Sequence, residues 1–162
     1  MIKMRDILFE EMHRYYYHAT LPENLPGIVA KGLIPSEEPH WGGDLGKESY
    51  GKIFVTDKFR TANYYGNILW RDHPNRYRPI LRFVRSKMKL TPDKYAAHDF
   101  FTDQPIKERF EIFVYDENTK VEQMHNGDMW FNERTGHWRP LTHEIASAIA
   151  TGEWDGEEID HD

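Results

Sequence analysis

The spacing of apolar positions changes several times along this chain, and each change predicts an element. Ile7, Leu8 and Met12 recur at helical intervals and predict a helix over 4–14, since residues three and four apart share a helix face. The pattern then turns strand-like through Tyr15, Tyr16, Tyr17, His18, Ala19 and Thr20. Thr20 is placed to cap a following helix over 21–31, with Pro22 in its first turn, Leu25, Ile28 and Val29 inward, and Gly32 as a left-handed stop. Residues 34–51 are rich in Pro, Gly, Ser and Glu without a period and predict a loop; its length makes Trp41 and Gly42-Gly43 candidate lid elements. A short apolar strand over 52–56 leads, with Thr56 or Asp57 as cap, into a helix over 58–65. A strand over 79–84, running on toward Leu90, ends in the turn signal Thr91-Pro92-Asp93. Another over 110–115 ends at Asp116-Glu117-Asn118, and 120–124 continues the sheet. Residues 129–131 and 137–139 flank Asn132-Glu133-Arg134-Thr135-Gly136 as a predicted hairpin, and a helix over 141–150 stops at Gly152. Strands dominate the middle without repeats, so the expected class is α+β.

Composition narrows the picture. At 162 residues the chain suits one domain, expected over 1–152, followed by an acidic tail over 153–162. With 14% aromatic residues the core is expected to lean on Phe, Tyr and Trp. The absence of cysteine excludes disulfides, thiolate metal sites and a cysteine nucleophile. No apolar run of signal-peptide or membrane-spanning length is present, so a soluble cytoplasmic protein with no membrane partner is expected. The net charge of −6 argues against sequence-blind nucleic-acid binding, which needs dense Lys and Arg at the phosphates. Residues 71–94 are nonetheless basic, with Arg76, Arg78, Arg82 and Arg85 among them, and read either as a solvated strand face or as a basic rim. The nine histidines show no metal-ligand spacing, so no metal is expected; nor is there a phosphate-binding glycine loop or a serine elbow.

Three segments carry candidate chemistry. They are Tyr17-His18-Ala19-Thr20; Ile53-Phe54-Val55-Thr56-Asp57 leading into Thr61-Ala62-Asn63-Tyr64; and Glu111-Ile112-Phe113-Val114-Tyr115-Asp116. Breaking the bond between nicotinamide and ribose passes through an oxocarbenium-like cation, so it needs a carboxylate, a grip on the ribose and a wall for the departing ring. Glu111 opens an apolar strand, a rigid support for a carboxylate. A neutral His18 imidazole can donate to a ribose hydroxyl while backbone holds its second nitrogen, and Phe54 can stack on a flat ring. Taken singly, His18 and Phe54 read as packing and Glu111 as a solvated edge residue; the order and strand context of the three segments favour a site.

These segments resemble the ADP-ribosyltransferase superfamily, most closely its diphtheria-toxin-like and PARP-like His-Tyr-Glu branch. Thr61-Ala62-Asn63-Tyr64 is similar to the family's Ser-Ala-Asn-Tyr helix, Glu111 to Asp116 to its Glu-Tyr-Ile-Val-Tyr-Asp strand, and Tyr17-His18-Ala19-Thr20 to its Tyr-His-Gly-Thr. The helix before Gly32-Leu33-Ile34-Pro35 also resembles the stretch after that motif in small bacterial and viral members and in RNA 2′-phosphotransferases. The resemblance covers residues 15–121 or so and implies one ADP-ribosyltransferase-like domain: two packed, mainly antiparallel sheets forming a split β core with flanking helices. It implies a toxin-like viral or bacterial effector that takes NAD as substrate, releases nicotinamide and transfers ADP-ribose to a macromolecular acceptor. The acidic balance favours a protein over a nucleic acid as that acceptor.

Carried over by position, His18 would bond the NAD ribose, and the Ala19 backbone, beside Thr20 and helped by the Thr61 hydroxyl, would hold the nicotinamide amide. Phe54 would stack on the nicotinamide, Tyr64 would close the pocket, and Glu111 would stabilise the cation. Three departures stand out. Phe54 replaces a tyrosine, keeping a ring and losing a hydroxyl; Ala19 replaces a glycine and narrows backbone approach; and the link from the second strand to its helix is one residue shorter. Glu108 lies three positions before Glu111, so the two do not share a strand face and arginine-directed transfer is not expected. Other readings are an NAD glycohydrolase toxin, an RNA 2′-phosphotransferase with Arg82, Arg85 or Arg14 facing a phosphate, and an inactive binding module that docks a partner through its acidic tail or the hairpin around Trp130 and Trp138.

Overall fold

Three consecutive tyrosines make Tyr15–Ala19 the first described strand, β1, because aromatic side chains fit a pleated, half-buried surface. The computed structural model describes residues 14–35, 51–85, 89–94, 96–116, 122–123, 129–130 and 137–154. Residues 4–13 of the helix expected over 4–14, the loop residues Trp41 and Gly42-Gly43, and tail residues 155–162 lie outside them.

After β1 a 3-10 turn, Pro22–Asn24, leads into α1, Leu25–Lys31. Thr20 is not a cap: Leu21 occupies the extended position before the turn, with no side-chain cap bond. Gly32 ends α1 at φ 82° and ψ −174°, with its N–H 2.8 Å from the Ile28 carbonyl oxygen. A Cβ there would lie 2.3 Å from the Ile106 carbonyl oxygen, so both the positive φ and the close strand approach require glycine. That approach forms the bridge between Leu33 and Ile106.

Strand β2, Ile53–Thr56, is followed by α2, Phe59–Trp70, which ends five residues later than expected. The α2 sequence continues apolar through Leu69 and Trp70, and the Trp70 indole Nε1 donates to the Thr20 carbonyl at 2.8 Å, fixing the last turn against the end of β1. The interior strand β3 is Tyr77–Val84, two residues longer at its start than expected. Thr91–Pro92, expected as a turn, instead forms β4 against Phe100 and Phe101 of β5, Asp99–Thr102. Strand β6 is Glu111–Asp116, β7 is Glu122–Gln123, β8 is Met129–Trp130, and β9 is Arg139–Pro140. Among the described residues the expected pairing of 129–131 with 137–139 is not found: β8 pairs β7, and β9 joins β6. The final helix α3, His143–Thr151, is capped by the Thr142 hydroxyl, which accepts from Ile145 N at 3.2 Å, and ends on left-handed Gly152.

The fold is α+β, with three helices among the described residues and a seven-stranded antiparallel sheet in the order β4-β5-β2-β1-β3-β6-β9. One hydrogen-bonded sheet runs through these seven strands, and β7 and β8 form a second, two-stranded sheet. The continuity of the larger sheet is uneven. β1 meets β3 from Tyr15 to Ala19 and β3 meets β6 from Tyr77 to Arg82, whereas β1 meets β2 only where Tyr17 faces Thr56. One face is largely aliphatic: Leu81, Ile112, Ile53 and Val55 pack beneath Leu25 and Ile28 of α1 and Ile145 and Ile149 of α3. The other face carries α2, where Phe59, Ala62 and Trp70 cover Tyr17, Ala19, Ile80 and Phe113. No helix of the described residues is long and apolar enough to cross a membrane.

Candidate functional site

The first segment ends where β1 and β2 part. His18 is half-buried, and its Nδ1 lies 2.8 Å from the Phe54 backbone oxygen on the neighbouring strand. A carbonyl only accepts, so Nδ1 carries the proton. The backbone thus holds one ring nitrogen of His18. Ala19 is buried in the α2-side cluster, and buried Thr20 gives its N–H to the Pro79 oxygen at 3.3 Å and its carbonyl to Trp70.

The second segment divides. The half-buried Phe54 ring packs against Phe101 at 5.9 Å between centroids, and the Lys52 ammonium lies 4.6 Å over Phe101. Along α2, Ala62 and Asn63 turn inward at 1% exposure, while Tyr64 is 58% exposed and meets the Tyr65 ring edge-on at 5.7 Å. Successive helix positions rotate by about 100°, so burying Ala62 and Asn63 sends Tyr64 outward. Thr61 is half-buried on the same helix.

Glu111 holds the most specific arrangement. Its Oε1 accepts from Arg82 Nε at 3.0 Å, with Glu111 35% and Arg82 15% exposed. The Arg82 guanidinium lies 4.1 Å from the ring centroids of both Tyr15 and Trp138, one on β1 and one just before β9. Trp138 is itself packed against Tyr17, Phe59 and Phe113 at 5.4 to 6.0 Å. The ladder explains the meeting: Tyr17, Arg82 and Glu111 stand directly opposite one another across β1, β3 and β6. In the sequence Arg82 reads as a strand-face or basic-rim cation or a phosphate ligand, and Trp138 as a hairpin residue. The available signal was a cation interrupting the apolar run of β3 and an anion opening the apolar run of β6.

The same register separates other members of the expected set. His18 stands opposite Leu81 and Ile112, which belong to the α1 and α3 face, while Glu111 stands opposite Arg82 on the α2 face. Because alternate residues of a strand point to opposite faces, His18 and Glu111 are rooted on different sides of the sheet. The His18 ring leans toward β2, reaching the Phe54 backbone at the parting of the strands. Arg82 and Arg85 are divided likewise. Arg85 lies over Tyr16 and Phe100, at 4.6 and 5.1 Å, and 3.7 Å from Asp57.

A buried polar group absent from the sequence reading lies at the start of β5. Asp99 is 6% exposed and accepts from the Tyr65 hydroxyl at 2.5 Å. Burial pushes the Asp99 carboxyl above its ordinary value, against the opposing effect of the Tyr65 hydrogen bond. Burial and the Asp99 acceptor push the Tyr65 hydroxyl well above the ordinary tyrosine value. Asp57, next to this group, lies 3.1 Å from His98 Nδ1. Short strands gave no readable period here, so the meeting of α2 with β5 was invisible in sequence.

No family model, curated protein or solved structure matches this chain. The functional reading therefore rests on the residues and their placement.

Proposed function

We propose that the protein is an NAD-dependent ADP-ribosyltransferase that cleaves the nicotinamide-ribose bond and transfers ADP-ribose to a macromolecular acceptor, a protein by preference. The observation that carries this reading is the Glu111 carboxylate. It stands at the start of a strand in a seven-stranded sheet, is 35% exposed, and has one oxygen fixed by a stacked guanidinium. A carboxylate held in place costs little reorganisation when positive charge develops at the ribose. As the C1′–N bond breaks, its electron pair leaves with nicotinamide, Glu111 stabilises the cation and accepts from a ribose hydroxyl, and an acceptor nucleophile bonds C1′ and gives up its proton. His18 stands at the parting of β1 and β2 to meet a second ribose hydroxyl, and Phe54 offers a half-buried ring on the neighbouring strand.

A second reading has its own support. The rooting of His18 and Glu111 on opposite faces, and the outward turn of Tyr64, favour a binding module that has kept the segments and lost their convergence.

Nicotinamide release by the purified protein with NAD, with and without cell extract, separates the two. The transferase reading expects release that is stimulated by extract and falls by about 10²-fold or more in Glu111→Gln, with a change in stability under about 1 kcal/mol for so exposed a carboxylate. Release from NAD alone, without stimulation, indicates a glycohydrolase. No release from folded protein under any condition overturns the enzyme reading.

A further inference from the structure

We infer that Arg82 is the positioning residue of the site, acting through Glu111: it holds Oε1 so that Oε2 is presented for a ribose hydroxyl. This rests on the transferase reading. The geometry is specific to a guanidinium. Arg82 lies between the Tyr15 and Trp138 rings, 4.1 Å from each centroid, and a planar, delocalised cation stacks there where a lysine ammonium would present only a point charge. Stacking fixes the plane of the guanidinium, and the Nε–Oε1 bond of 3.0 Å then fixes the carboxylate at one end. Among the described residues Oε2 has no hydrogen-bond partner.

The slot is assembled from three distant parts of the chain. Tyr15 comes from β1, Arg82 from β3 and Trp138 from the approach to β9, and the direct opposition of Arg82 and Glu111 in the ladder brings the carboxylate to it. An exposed ion pair between these residues would contribute little. At 15% exposure between two rings the guanidinium has lost most of its freedom, which is what an orienting group requires.

The test compares steady-state nicotinamide release in wild type, Arg82→Ala and Arg82→Lys, with thermal melts alongside. Misplacing a catalytic carboxylate by about 1 Å costs about 10²-fold in rate. Both variants are therefore expected to lose about that much in kcat, while KM for NAD changes by less than about threefold. Adding guanidinium chloride below denaturing concentration should restore part of the Arg82→Ala rate by filling the slot, and ammonium chloride should not. A rate in Arg82→Ala equal to wild type overturns the inference. So does wild-type behaviour in Arg82→Lys, because charge alone then suffices. A loss in Arg82→Ala that guanidinium does not relieve, including one caused by unfolding, assigns Arg82 a structural role and also overturns it. An inactive wild type removes the transferase reading and this inference together; an active wild type with unaffected variants removes this inference alone.

Discussion

The two halves of the sheet are built to different standards. On one side, β1, β3 and β6 are joined along long uninterrupted ladders, and their apolar residues are covered from both faces, with Ile80 and Leu81 at 0% exposure. On the other, β4, β5 and β2 form a narrower group that reaches β1 through one registered position and through the side chain of His18. A side chain has taken over where backbone pairing gives out. Backbone amides buried in a sheet interior must find partners, so strands that part leave acceptors such as the Phe54 oxygen for other donors to satisfy. The well-laddered half holds the rigid carboxylate and the stacked arginine, and the parted edge holds the histidine and the half-buried ring.

Substitution can break this contrast most strongly from within. Leu81→Ala empties a fully buried position in interior strand β3 and should cost about 2–5 kcal/mol. Phe101→Ala, on half-buried β5, should cost only about 1–2 kcal/mol, because less surface is buried to begin with. Urea denaturation of both variants measures the difference, and equal losses would mean that the two halves are equally consolidated.

A smaller effect is expected at the junction. His18→Ala removes the donor to the Phe54 oxygen and should cost about 1–2 kcal/mol, the net value of the bond plus part of the penalty for a stranded acceptor. The diagnostic is local. Amide exchange should quicken in β2 and β5 and stay unchanged in β3 and β6, since opening follows cooperative structural units. Uniform acceleration across all strands would show that His18 does not join two halves.

The smallest effect is a change of pH slope. The Asp99 carboxyl in the folded protein titrates above its ordinary value of 3.8. Between the unfolded and folded values the folded state therefore holds more protons, and stability falls as pH rises through that window. Asp99→Asn can still accept from Tyr65 and should remove this decline. Urea midpoints measured across mildly acidic pH should fall with rising pH in wild type and stay flatter in the variant. Parallel curves would show that Asp99 contributes no pH dependence.

Much of the fold was legible in local pattern. Gly152 ends α3 as a left-handed stop, and Gly32 ends α1, because such signals act over a few residues. β6 falls within one residue of its expected start and end. The short strands were not legible. Thr91–Pro92 carries the composition of a turn, yet lies at the sheet edge where proline is tolerated because its missing N–H can face away from the ladder.

What the sequence determined by itself was the inventory: an α+β chain, aromatic strands, and His18, Phe54 and Glu111 in an order that suits a ribose, a flat ring and a cation. What only the tertiary structure decided was which of them share a face. Strand alternation has a period of two, so a single position of register assigns a side chain to one side of the sheet or the other. That assignment joined Glu111 to Arg82, Tyr15 and Trp138, which lie far apart in sequence, and rooted His18 on the opposite side. Register is set by pairing between distant segments and by what each face buries, and neither is written in any local stretch of the chain.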